Sequence, residues 1–234
     1  MKKEMLSLNG WIAEAEEWQQ SLADFLIEYN MRELECSAED LLAKMQEMLD
    51  VMEKSVEYGL SGVKSHSGLT GGDAKRLAEA EADERFISLL GEKATDAVIY
   101  ATAVGECNAA MGRIVAAPTA GASGVLPGVF FSLKKHYHLS DETMQRGMVV
   151  AGSIGMVIAE RASLAGATGG CQAECGSAAA MAAGAAASML GGTPKQVGTA
   201  VAIVFKNVLG LVCDPVAGLV EVPCIKRNGA CALQ

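Results

Sequence analysis

Aromatic rings make up only 5% of this 234-residue chain, although half of its residues are apolar. Rings normally supply much of the volume of a mixed or sheet-built core. A core made instead of Ala, Gly, Met and aliphatic side chains, with 26 glycines among them, fits helices packed backbone to backbone. Sustained period-two alternation is missing too, so strands are not expected. No apolar run reaches the roughly 20 residues that a membrane span needs. MVVAGSIGMVIA ends at Glu160-Arg161, AAAMAAGAAASML gives out at Gly191-Gly192, and VGTAVAIVFKNVLGLV is interrupted by Lys206. A secretory signal is likewise absent, because MKKEMLSLNGWIAEAEEWQQ turns acidic where an apolar stretch should begin. There is no basic excess: the net charge is −9. Residues 1–95 hold 20 acids against 10 bases, and residues 96–234 hold 8 against 9. Phosphate binding needs a basic face, which argues against nucleic acid. Seven cysteines without the density of a disulfide scaffold fit a reducing cytoplasm.

What remains is an all-α, multi-helix bundle with Ala/Gly-rich core helices and cysteine-bearing loops. Residues 1–60 read as an acidic helical region and 61–234 as the catalytic part, most simply within one continuous domain. An amphipathic helix is expected over residues 9–30. A second follows the capping sequence Ser37-Ala38-Glu39-Asp40, with Leu41, Met45, Met48, Leu49, Met52 and Val56 at helical spacing as a packing face. Further helices are expected near 73–90, 95–111, 125–137 and 177–190. Ser140 can cap one that runs to about residue 162, and Thr193-Pro194 can start one that reaches Leu211. His136 and His138, in KKHYH, read as solvated.

Chemistry concentrates in the breaks. Cys171 follows Gly169-Gly170, Cys213 precedes Asp214-Pro215, and Cys224 follows Pro223. Thiols at such junctions can face a cleft, and soft ligands of this kind suit zinc or an iron–sulfur centre. The plainer alternative for any one of them is packing, since free cysteine behaves as a small hydrophobe. No CxxC pair is present, so spacing alone does not decide. Two Gly-rich loops complete the set. GLSGVKSHSGLTGGD offers backbone N–H groups, Ser65 and Ser67, equipment for a carboxylate, and carries His66, a side chain suited to proton transfer near neutral pH. Its alternative is a flexible connector. PTAGASG places Thr119, Gly121 and Ser123 before a helix from Val125, whose N–H groups could face an anion. It is not a P-loop, lacking the GK[ST] end.

The segments NAAMGRIVAAPTAGASGVLPG, GGCQAECGSAAAMAAG and LGLVCDPVAGLVEVPCIKRN resemble the alpha subunit of iron–sulfur-dependent L-serine dehydratases, from about Ser61 onward. The resemblance implies a [4Fe–4S] cluster on Cys171, Cys213 and Cys224, one iron free to bind substrate, and conversion of L-serine to pyruvate and ammonia. It implies substrate contacts from Ser65, Ser67, Thr119, Gly121 and Ser123, with His66 the candidate catalytic side chain. It also implies a beta subunit, an oligomeric enzyme, and family chains that continue past Gln234. Cys175 stands where the family has an aliphatic residue and receives no ligand role; Cys231 receives none either. No lysine has a recognisable Schiff-base context, which argues against pyridoxal phosphate. The rival expectation is a non-catalytic helical structural or regulatory subunit with a closed metal site.

Overall fold

A computed structural model describes residues 6–81, 83 and 90–234. Its described residues form ten α-helices and a 3₁₀ turn at Ala120–Ala122, with no β-strand among them. The all-α expectation holds. Helices α1 (Leu8–Glu17), α2 (Leu22–Leu34) and α3 (Ala38–Leu60) make up the acidic N-terminal region, and α4 (Asp73–Ala80) and α5 (Glu92–Ala109) follow. Then come α6 (Val125–Tyr137), α7 (Asp141–Arg161), α8 (Gly166–Met189), α9 (Pro194–Val208) and α10 (Glu221–Ala232). The far end of the helix expected near 73–90 lies outside the described residues. None of the described helices is long and apolar enough to cross a membrane.

Short polar side chains set half of the described helix starts. Ser37, Ser140 and Thr193 accept the N–H of Asp40, Thr143 and Gln196 at 3.0, 3.2 and 3.3 Å. Thr193 and Gln196 form a reciprocal box with Pro194 in the first turn. The same device corrects one expectation: the helix over 9–30 is two. Gln19 turns left-handed at φ 55°, and the Ser21 hydroxyl accepts the Asp24 N–H at 3.1 Å. A serine followed by an acid at the third position starts a new helix rather than letting the old one run on.

Glycine and alanine then bring the helices together. One core cluster contains Trp11, Phe25 and Met52 together with Val150, Ala180 and Cys231. In α8, Ala178, Ala180, Ala182 and Ala185 are all buried, and α7 and α9 pack along it. A Cβ at Gly59 of α3 would overlap the Ala103 carbonyl of α5; one at Gly128 of α6 would stand 2.6 Å from the Ala97 oxygen of α5. Contacts that close leave no room for larger side chains. His136, expected in solvent, folds instead onto α5: Nε2 lies 2.5 Å from Oδ2 of Asp96. Asp96 is only 1% exposed, and a carboxylate so deep needs a partner, which Lys135 also supplies at 2.9 Å. His138 is exposed, as expected.

These seams give a paired test. Gly59→Ala is expected to lower unfolding free energy by about 1–3 kcal/mol, the usual cost of overpacking. Gly152→Ala, on the open face of α7 with nothing within 4 Å of its Cβ, should stabilise by up to about 1 kcal/mol. Urea unfolding of both variants measures the contrast.

Candidate active site

The site begins at a break inside α8. Gly170 adopts φ 70°, ψ −167°, a conformation closed to ordinary side chains, and splits the helix one residue before Cys171. A Cβ at Gly170 would stand 2.8 Å from the Leu211 oxygen, so the segment after α9 rests directly on the break. Two hydrogen bonds fasten it there. Gln172 N donates to Leu211 O at 2.9 Å, and Gly210 N donates to Gln172 Oε1 at 2.8 Å. Cys171 therefore opens a helix segment rather than sitting in a loop. Its N-terminal break was legible as Gly169-Gly170; that helix also precedes the break was not.

Cys213 lies two residues further along this exposed segment. A tight turn at Ala217-Gly218, both at positive φ, pairs Val216 with Leu219 and leads into α10. Cys224 occupies the first turn of α10. Cys171, Cys213 and Cys224 are close enough to affect one another electrostatically. Burial pushes the Cys171 thiol up, against a hydrogen bond with Arg227 that pulls it down. Cys224 is pushed up to about 11 by burial, then by Cys171, Glu174 and Cys213. Arg227 ties this corner together, donating to Val212 O at 2.5 Å and pairing with Asp214 at 2.9 Å. As placed, no three His, Cys, Asp or Glu among the described residues form a ready site for a single metal ion. Cys175, one turn past Cys171, is buried and hydrogen-bonded to buried Cys231, which with burial pushes the Cys175 thiol up.

The PTAGASG loop closes over Cys224. A side chain at Gly121 would begin 3.5 Å from Cys224 Sγ and 3.7 Å from either carboxylate oxygen of Glu174. Asn228, 1% exposed, is the strut. Its Nδ2 donates to Gly121 O and Cys224 O, each at 2.7 Å, and its Oδ1 accepts Gly124 N at 2.8 Å. The N–H expected to face an anion before α6 is thus taken by Asn228. Ser123 Oγ donates to Ala120 O at 2.8 Å and shapes the loop. The Thr119 hydroxyl, by contrast, is buried without a partner among the described residues.

The His66 loop meets the same corner. His66 N donates to Ala109 O at 3.3 Å, while Asn108 Nδ2 donates to Ala120 O at 3.1 Å, so the end of α5 anchors both loops. The imidazole itself is exposed. Ser65 Oγ accepts Thr70 N and lies 3.2 Å from Ser67 Oγ, which donates to Glu221 of α10. The loop ends on Glu106, a buried carboxylate that accepts Asp73 N at 2.7 Å and Ala74 N at 3.3 Å. Burial pushes Glu106 up, and those hydrogen bonds pull it down. Asp73, paired with Lys226 and Arg76, is held below the usual carboxylate range, chiefly by the Lys226 hydrogen bond among the groups that lower it, with burial opposing. Glu106, Glu174, Arg227 and Asn228 were not singled out from the sequence. The signals were the i+3 spacing of Glu174 from Cys171 and the polar run Lys226-Arg227-Asn228 in a helix start.

An all-helical chain that gathers three thiols from a helix break, an exposed segment and a helix start under a glycine loop is a cysteine-centred helical protein. It belongs to the serine dehydratase alpha chain family, which it matches over residues 4–234. The resemblance read from its motifs is confirmed at that level. It is 51% identical over 207 residues to the probable L-serine dehydratase, alpha chain, of Bacillus subtilis, covering 88% of this chain and 68% of that one. To the L-serine dehydratase, alpha chain, of Peptoniphilus asaccharolyticus it is 42% identical over 209 residues, 88% and 70% of the two chains. To L-serine dehydratase 2 of Escherichia coli it is 37% identical over 206 residues, which span 85% of this chain but 44% of that protein.

Two outcomes test the corner. Asn228→Ala and Asn228→Asp should each cost about 1–3 kcal/mol in urea unfolding, because either leaves buried backbone groups unpaired. Asp73 contributes stability that is present above its unfolded value of 3.8 and fades as pH falls through its lower folded value. Asp73→Asn should therefore flatten the acid limb of a stability–pH curve measured between pH 2 and 5 (roughly the range over which such a group titrates).

Proposed function

We propose that this chain is the catalytic alpha subunit of an L-serine dehydratase that converts L-serine to pyruvate and ammonia, with a [4Fe–4S] cluster on Cys171, Cys213 and Cys224. The observation that supports this most directly is the meeting of those three thiols beneath the PTAGASG loop, where Gly121 leaves space beside Cys224 and Glu174. The donor set fits the group: three soft ligands, each on a different element, with one of them on an exposed segment that can adjust. A cluster also spans thiols farther apart than one metal ion does.

When bound, such a cluster supplies Lewis acidity at an iron without a protein ligand, toward the substrate hydroxyl. The chain supplies the rest. Overall, L-serine gives up its α-proton and its hydroxyl as water, and the resulting enamine hydrolyses to pyruvate and ammonia. The Thr119 hydroxyl and the side-chain-free face of Gly121 receive the substrate. Ser65, Ser67 and Ser123 shape the two loops around it, since their hydroxyls already serve protein groups. His66 is the exposed proton-carrying side chain on the first loop. A companion beta subunit completes the enzyme, and the free state of all seven cysteines suits a reducing cytoplasm.

The test is iron content and turnover of the anaerobically prepared complex. Replacing Cys171, Cys213 or Cys224 with Ala should abolish both, while Cys175→Ala should keep its iron. Stoichiometric zinc in a colourless protein, or full turnover by the 234-residue chain alone, would overturn this reading. Thr119→Ala should weaken serine binding on the order of ten- to a hundred-fold, the loss of one hydrogen bond to a charged group. Ser123→Ala should instead lower stability, by about 0.5–1.5 kcal/mol, with affinity unchanged.

A further inference from the structure

Of the carboxylates around this site, all but one have partners among the described residues, Glu106 taking the N–H groups of Asp73 and Ala74. Asp73 is bound by Lys226 and Arg76, Asp214 by Arg227, and Glu221 by the Ser67 hydroxyl. Glu174 is different. Half-buried on α8, its carboxylate has neither an ion pair nor a hydrogen bond among the described residues. Two glycines border it, Gly166 packing directly against the carboxylate and Gly121 facing it across the width of one methyl group. A side chain at Gly121 would begin 3.7 Å from both of its oxygens, and one at Gly166 would stand 2.8 Å from its Cδ. The space it faces is bounded on the other side by Cys224 Sγ, 3.5 Å from the same point above Gly121. Thr119, whose buried hydroxyl also lacks a partner, begins the loop that carries Gly121.

A half-buried carboxylate without a counter-charge gains from a cation delivered by a ligand, because a charge-assisted hydrogen bond is stronger than a neutral one. Arg227, the cation nearest the thiols, is engaged by Asp214, Val212 and Cys171 and leaves Glu174 unmatched. The reading of this corner as a serine site, on which this inference rests, brings a ligand with an ammonium group beside its carboxylate and hydroxyl. The geometry points to Glu174 as the residue that receives the α-ammonium of the substrate. Glu174 thereby sets specificity for 2-amino-3-hydroxy acids over 2,3-dihydroxy acids, which present a neutral hydroxyl at that position. The site disfavours a hydroxyl in place of the ammonium because the carboxylate is then left without its charged partner.

The experiment compares L-serine with L-glycerate, in which a hydroxyl replaces the ammonium, on the complete iron-loaded complex. Glu174→Gln should raise KM and Kd for L-serine about ten- to a hundred-fold, the loss expected for one charge-assisted hydrogen bond. Inhibition by L-glycerate should strengthen, because the charge it leaves without a partner is gone, iron content should not change, and Glu174→Asp should recover part of the serine affinity. Equal weakening for both ligands, loss of iron in Glu174→Gln, or unchanged serine affinity would each overturn the assignment. An iron-loaded wild-type complex that binds no L-serine would overturn the functional reading as well, whereas wild-type binding with an indifferent Gln variant would overturn the role of Glu174 alone.

Discussion

The close approach of residues 210–213 to the break at Gly170 is the constraint on which the site depends. Gly170 has no Cβ, and 2.8 Å separates that missing atom's position from the Leu211 oxygen. The backbone of one segment can therefore lie on the start of another helix, with Gln172 bonding it in both directions. Cys171 and Cys213 are neighbours as a consequence. Cys224 joins them because Asn228 clamps the first turn of α10 to the glycine loop. Two backbone arrangements, neither involving a thiol, thus gather the three thiols.

That arrangement needs a stiff frame. Along α5 the Ala97, Ala101 and Ala103 carbonyls touch glycines of neighbouring segments, and in α8 Gly176 and Gly184 receive the side chains of Val208 and Ile154. A core of this kind buries little volume per residue but fixes the distance between helices closely, because there are few long side chains to repack. Loops anchored on such helices inherit the precision. The end of α5 holds the His66 loop through Ala109 and the PTAGASG loop through Asn108.

Much of this was legible in the sequence, and for local reasons. Ser37, Ser140, Thr193 and Pro194 announce helix starts because capping is decided within one turn. The all-α class followed from the missing rings and the missing alternation. The three cysteines stood out because each lies beside a Gly or Pro break. What escaped depends on distant neighbours. Asp96 drew His136 out of solvent from 40 residues away, and Asn228 took the N–H at Gly124 that the loop alone offered to an anion. Ser21 was a local signal passed over: the periodicity on either side ran through it, and a weak cap still outranked that periodicity.

A cavity of about 520 Å³ also adjoins the α8 break, among Val157, Ile158, Phe205 and Val208. Volume does not make it the reactive site. Its walls are mainly apolar, and only Arg161, Ser163, Gln172 and Ser177 offer polar groups. The corner at Cys224 instead has thiols beside a hydroxyl and a carboxylate that lack partners among the described residues. Elimination of water from a hydroxy amino acid needs groups that manage charge and protons, and those groups lie where helices end, since a helix interior has already spent its backbone polarity on itself. In this chain the residues that can do chemistry sit at breaks and caps, and the helices between them hold those breaks at fixed separations.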